Sequence, residues 1–186
     1  MNPIETLFPG LAGLSNIHPL FVHFPIAFWT GALLLEGLAV TRDERLHSTA
    51  AWFLHLGTIA ALVTVPTGFA AEYAAALADP RGHHGPTHQP IHIHRAWMLV
   101  TTGVGFCVSA YFFWVDRKSV WPFHRWGLLA ATTVLAALVA MGADRGARLV
   151  YEFGTGVRPA LLKTPAESGD AGGGHGHSDE ADSHSE

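Results

Sequence analysis

Cysteine and charge are what this sequence is short of. Among 186 residues Cys107 is the single cysteine, which excludes an internal disulfide and a dithiol redox pair. It lies inside an apolar run and reads as a small buried residue. Charged residues make up 14% of the chain, against roughly a quarter of a soluble domain. Hydrophobic residues make up 49% and the mean hydropathy is positive, so the composition is that of a membrane protein. The formal charge of −4 is small and comes partly from an acidic tail, and nothing in it suggests nucleic acid as a partner. Also missing are a nucleophile triad, a phosphate loop, a zinc-protease motif and a dinucleotide fingerprint. Enzyme chemistry of the soluble kind is therefore not expected. Residues 1–16 carry no Lys or Arg and are broken by Pro9, Gly10 and Gly13. That is not the pattern of a secretory signal peptide, and the expectation is a short interfacial lead-in.

What is present are four apolar runs, about 19–40, 49–73, 93–115 and 126–143. Each is close to the roughly 20 residues that cross a bilayer as a helix, and isolated strands cannot satisfy their backbone in lipid. The fold class expected is all-α, an integral membrane up-down four-helix bundle. Pro66 should kink the second span. Trp52, Trp114, Trp121 and Trp126 form an aromatic belt at one end of the bundle, and Trp97, Tyr73 and Tyr151 one at the other. The connections TRDERLHS and DRKSVWPFHR are short. AAALADPRGHHGPTHQPIHIH is a longer loop rich in Pro, Gly and His, and the end of the chain, 158–186, is a Gly, Ser, His and acid tail expected to be disordered. Basic residues are nearly balanced. The short connections hold Arg42, Arg45, Arg117, Lys118 and Arg125, and the other side holds Arg81, Arg95, Arg145, Arg148, Arg158 and Lys163. Weighting the short internal connections places them in the cytoplasm of a bacterial inner membrane, with both termini outside.

The start HPLFVHFPIA, the acid Glu36 near the end of the first span and the closing stretch LVYEFGTGV resemble a family of bacterial four-helix membrane proteins, domain of unknown function 2231. The resemblance runs from about His18 to Val157. It implies the architecture and leaves function to the chemistry of the residues. Two features depart from it: Asp144-Arg145 stands where members often carry small residues, and the His-rich loop and tail are particular to this chain.

Thirteen histidines are the other conspicuous feature. In PLFVH at the first span and PIHIH before the third, a proline is followed four residues later by histidine: Pro19 to His23, and Pro90 to His94. Proline suits the first turn of a helix. If both helices start there, His23 and His94 lie at matching depth on parallel spans that face each other diagonally across a bundle. One imidazole from each is how a b-type heme is held. Small residues on these stripes, Ala27, Thr30 and Gly31, then Thr101 and Gly105, leave room for a porphyrin, and equally let helices pack closely without one. His55 and His124 are a second candidate pair, with a Glu36–His55 hydrogen bond as the alternative reading of His55, since an intramembrane carboxylate needs a partner. Arg95, Arg145 and Arg148 at the first pair's end suit heme propionates or a polar quinone headgroup, or simply anchor a helix end, with Glu72 and Asp144 as ion-pair partners. His18 reads as a helix-start or interface residue. His83, His84, His88 and His92 form a loop with no fixed zinc spacing but with imidazoles that bind divalent transition metals.

Three functions stay open at this point. One is a b-type heme subunit passing electrons between quinol and a redox complex. A second is a transition-metal handling protein using the His-rich loop and tail. The third is a non-catalytic scaffold within a membrane complex or homo-oligomer. An absorption spectrum separates the first from the other two.

Overall fold

The computed structural model describes residues 6–8, 14, 16–78, 84–116 and 124–157. They form four long helices: α1 His18–Thr41, α2 Leu46–Ala78, α3 His88–Asp116 and α4 His124–Tyr151. All four are long and apolar enough to cross a membrane. Each packs on its neighbour in chain order and α4 closes against α1, so α1 and α3 are diagonal, as are α2 and α4. This is a four-helix membrane bundle.

The helices run beyond the apolar runs. α2 begins at Leu46 and continues to Ala78, and α4 continues to Tyr151. The largest difference is at the His-rich loop, where helix begins at His88 instead of about Ile93. The backbone explains this. Pro90 falls in the first turn, where its missing N–H has no intrahelical partner to lose. The His88 N–H finds the Gly85 carbonyl at 3.1 Å and the Ile91 N–H finds that of Thr87 at 3.0 Å. A helix satisfies its own backbone whether its side chains meet lipid or water, so apolarity marks the membrane and not the helix end.

The bundle exposes large apolar side chains and buries several hydroxyls. Large side chains such as Leu34, Ile59, Val63, Val100 and Phe106 are exposed, while Thr58, Thr101, Thr132 and Ser109 are buried with Trp29, Leu54, Phe112, Leu128 and Leu135. Lipid exerts no force to bury the large residues, so the interior is chosen for close approach and for hydrogen bonds. Cys107 accordingly sits exposed on α3, not buried as its apolar neighbours led one to expect. Of the aromatic belts, Trp52, Trp114 and Trp126 are exposed, as are Tyr73 and Tyr151; Trp121 lies outside the described residues.

Trp29 sets the register. Its indole is fully buried between α2 and α3, and a Cβ at Gly57 or Gly105 would overlap its ring. Those two glycines are what let α2 and α3 close on α1. Toward the α1–α2 connection, Glu36 is wholly buried and both its carboxylate oxygens bond His47 Nδ1, at 2.8 and 3.0 Å. The partner is therefore His47 and not His55. The connection between the antiparallel helices is short and α2 starts at Leu46, so a residue one turn before the end of α1 meets the first turn of α2. His55 lies two turns deeper and turns to α3, bonding Ser109 Oγ at 2.6 Å between the rings of Trp52 and Phe113.

Candidate functional site: paired histidines at one end of the bundle

Eleven residues before Trp29 on α1 is His18, and eleven residues before Gly105 on α3 is His94. α1 and α3 are parallel, and Trp29 touches the site of Gly105. The same offset along both helices therefore brings His18 level with His94, three turns or about 16 Å from the Trp29 layer. The antiparallel α2 repeats the spacing: Gly57 meets Trp29, and Gly68, eleven residues on, meets His18.

Both rings are held in the same way. His18 Nδ1 lies 2.9 Å from Thr67 Oγ1 on α2. The single hydroxyl proton of Thr67 goes to the Thr64 carbonyl at 2.7 Å, so toward His18 the oxygen accepts and Nδ1–H donates. His94 Nδ1 lies 3.1 Å from the Gly142 carbonyl on α4, which can only accept. Each neutral histidine thus carries its proton on Nδ1 and its lone pair on Nε2. An Nδ1–H donated to a neighbouring oxygen is the outer-shell arrangement of metal-ligating histidines. Each ring also lies against a glycine. A Cβ at Gly68 would stand 3.2 Å from His18 Cε1, and one at Gly146 would stand 3.0 Å from His94 Cε1. Side chains at either position would press the imidazoles off their present line.

Local sequence explains the placement. His18 opens α1, and its N–H is bonded by Asn16 Oδ1 at 3.1 Å. From there His18, Pro25, Trp29, Ala32 and Glu36 follow at spacings of seven, four, three and four residues, the interior stripe of the helix. Pro25 lacks the N–H that the Phe21 carbonyl would use, and Thr64 Oγ1 approaches that carbonyl from α2 at 3.3 Å. On α3 the stripe runs from His94 through Met98, Thr101 and Gly105 to Phe112.

The other candidates are placed differently. His23 is exposed on α1 and is not brought to His94. The register set by Trp29 puts residue 23 level with Leu99, itself exposed. The recurring proline-to-histidine spacing describes where helices start, and packing sets how they slide. His124 is the first residue of α4, with its side chain outside the described residues. Arg95 is committed to Glu72, donating from Nη1 to both carboxylate oxygens at 2.7 and 2.8 Å. Arg145 stacks over Trp97 at 4.3 Å, donates to the Met141 carbonyl, and its charge reaches His94. His83 lies outside the described residues and His84 is exposed. His88 and His92 approach Nε2 to Nε2 at 3.0 Å. Because Arg95 Nη2 donates to His92 Nδ1 at 2.5 Å, His92 must hold its proton on Nε2 and donate it to His88. In this arrangement His92 is a donor and offers no lone pair to a metal. Among the described residues no group of three or more His, Cys, Asp or Glu side chains converges as a metal site.

Residues 14–159 match the model of a family described as a predicted membrane protein, DUF2231. The chain belongs to this family. The matched residues contain all four helices, both paired histidines and their bonding partners. No curated protein and no solved structure matches the chain.

Sequence reasoning read His18 as a helix-start residue, which it is, and gave no role to Thr67, Gly68, Gly146 or His47. A signal for His18 was present in its spacing to Trp29 and Glu36 on one helical stripe. None was present for the glycines, which matter only once the neighbouring helix is known.

Proposed function

We propose that this protein is a b-type heme membrane subunit in which His18 and His94 are the axial ligands, embedded in the bacterial inner membrane with the short α1–α2 and α3–α4 connections in the cytoplasm. The observation that carries the reading is the matched pair of Nδ1-protonated imidazoles on diagonal helices, level with one another and each backed by a glycine. Two nitrogen donors, with no third ligand beside them among the described residues, favour a porphyrin over a bare ion, because the macrocycle would bring ligands of its own. The polar groups at this end suit it further, since Arg145 adds positive charge near the pair. Bound there, heme supplies one-electron redox chemistry. The chain's own part is to orient both imidazoles through Thr67 and Gly142 and to keep Nε2 deprotonated.

The test is an absorption spectrum of the full chain purified in mild detergent from cells with heme supply. A reducible b-type spectrum that disappears in both His18→Ala and His94→Ala, and persists in His23→Ala, is expected. A wild-type protein without heme absorbance sinks the reading, as does a spectrum lost in His23→Ala and retained in His18→Ala.

A further inference from the structure

A cavity of about 280 Å³ opens between the end of α2 and the start of α3, with Phe69, Glu72, Tyr73, His88, Ile91 and Arg95 among its lining residues. It adjoins the paired histidines through the chain itself, since Phe69 follows Gly68 and Arg95 follows His94. Its volume is at the lower edge of ligand pockets, which run from about 300 to 1,000 Å³. That is room for one substituted ring and not for a porphyrin.

The lining has two characters. Phe69 and Tyr73 are aromatic and exposed on the outer side of α2, where Leu77 is exposed too, so this wall continues into the lipid-facing surface. The inner side is polar but without net charge. Arg95 spends its Nη1 donors on Glu72 and one Nη2 donor on His92, which in turn donates to His88. With the guanidinium neutralised by a carboxylate in this way, the described lining residues offer no spare cation for a phosphate. Each Glu72 oxygen accepts one bond from Arg95 and retains a lone pair for a second. The cavity therefore suits an uncharged ring that donates O–H to a carboxylate and enters from the bilayer.

We propose that this cavity binds the headgroup of a membrane-soluble quinol, with a ring hydroxyl donating to the Glu72 carboxylate, the ring against Phe69 and Tyr73, and the isoprenoid tail in lipid. As a source of electrons for the paired-histidine site the proposal rests on the heme reading; as a binding site it stands on residues of its own. The acceptor character of Glu72 favours the reduced form, because a quinone offers only carbonyl oxygens to it.

The experiment is anaerobic titration calorimetry of the full chain in detergent with decyl-ubiquinol, repeated with decyl-ubiquinone. Tighter binding of the quinol is expected. Glu72→Gln, which keeps the shape but weakens the acceptor, should lower quinol affinity at least tenfold. Phe69→Leu, which removes the ring 5.7 Å from the Arg95 guanidinium, and Ala76→Trp, which fills the cavity, should each do the same. Quinol binding that survives all three variants overturns the proposal, as does displacement of the quinol by short-chain phosphatidylglycerol, which would mark a lipid-headgroup site. The heme spectrum of the same samples reports the other site separately. Heme without quinol binding refutes the cavity assignment alone, and quinol binding without heme refutes only the heme reading.

Discussion

The register that brings His18 level with His94 depends on how closely α2 approaches Trp29, and a single methyl group tests it. In Gly57→Ala the new Cβ would overlap the indole, whose side chain is only 1% exposed and has no space to retreat into. The ring or the helix must shift by about an ångström. Overpacking of this kind costs about 1–3 kcal/mol. Alanine returns part of that, because it is a better helix former than glycine by about 1 kcal/mol. The net expectation is a loss of about 0–2 kcal/mol. Gly37→Ala and Gly103→Ala supply the comparison, since a Cβ at either position meets nothing within 4 Å. There the propensity gain stands alone, and stability should rise by up to about 1 kcal/mol. The same substitution on the same bundle is thus expected to differ by about 1–3 kcal/mol between sites. Reversible unfolding in mixed detergent micelles measures it. Gly57→Ala behaving like Gly103→Ala to within about 0.5 kcal/mol would refute the Trp29 clamp, and with it the argument that His18 and His94 share a level.

Thr67→Val removes the acceptor that holds the His18 Nδ1 proton while keeping shape, and should weaken heme binding about 10- to 100-fold; Thr67→Ser should restore it, and heme titration of the apoprotein reads the difference. Gly146→Leu should abolish heme binding with the helices intact by circular dichroism, because a side chain there must occupy the place of the His94 ring; unchanged heme content would count against the site. Glu36→Ala leaves the His47 imidazole buried without its carboxylate, for a loss of about 1–2 kcal/mol in a membrane setting, and a double-mutant cycle with His47→Ala should show coupling of similar size; additive effects would mean that the two are not partners in solution. Reporter fusions placed in the 42–45 and 117–123 connections should both report a cytoplasmic location, and an external signal from either reverses the orientation.

Architecture was legible because lipid imposes it. Four runs of sufficient length leave the backbone one economical way to satisfy itself, and alternation of direction follows from short connections. The site was legible only in its chemistry. Histidine on the first and third helices, at one end, was readable from composition and from span order. Which histidine was not, because the decision lies between helices: the Trp29 indole in the gap at Gly57 and Gly105 sets the register of α1 against α3 that puts His18 level with His94. A proline-to-histidine spacing within one helix holds no information about that slide. The hydrogen-bonding partners were beyond reach for the same reason. Thr67, Gly142 and Ser109 are ordinary helix residues whose roles exist only across an interface, and Glu36 chose His47 over His55 because α2 begins a turn earlier than its apolar run.

The Trp29 layer also decides how many cofactors the bundle can take. On one side of it, toward the start of α1, the interior offers glycines beside imidazoles whose Nε2 carries a lone pair. On the other side, toward the α1–α2 connection, the interior is filled by Phe112, Leu128 and Ala32, each at most 1% exposed. The histidine there, His47, gives Nδ1 to a carboxylate that is itself sealed from solvent. His55 is turned away to Ser109. A bundle built for two hemes needs a ligand pair at both levels; on the heme reading His18 and His94 would supply one, and the other level holds a packed Glu36–His47 pair instead. The heme reading therefore carries a stoichiometry. Pyridine hemochrome analysis against protein concentration should give one heme per chain at saturation, and a value approaching two would mean that the Trp29 side opens in a way that its packing does not allow.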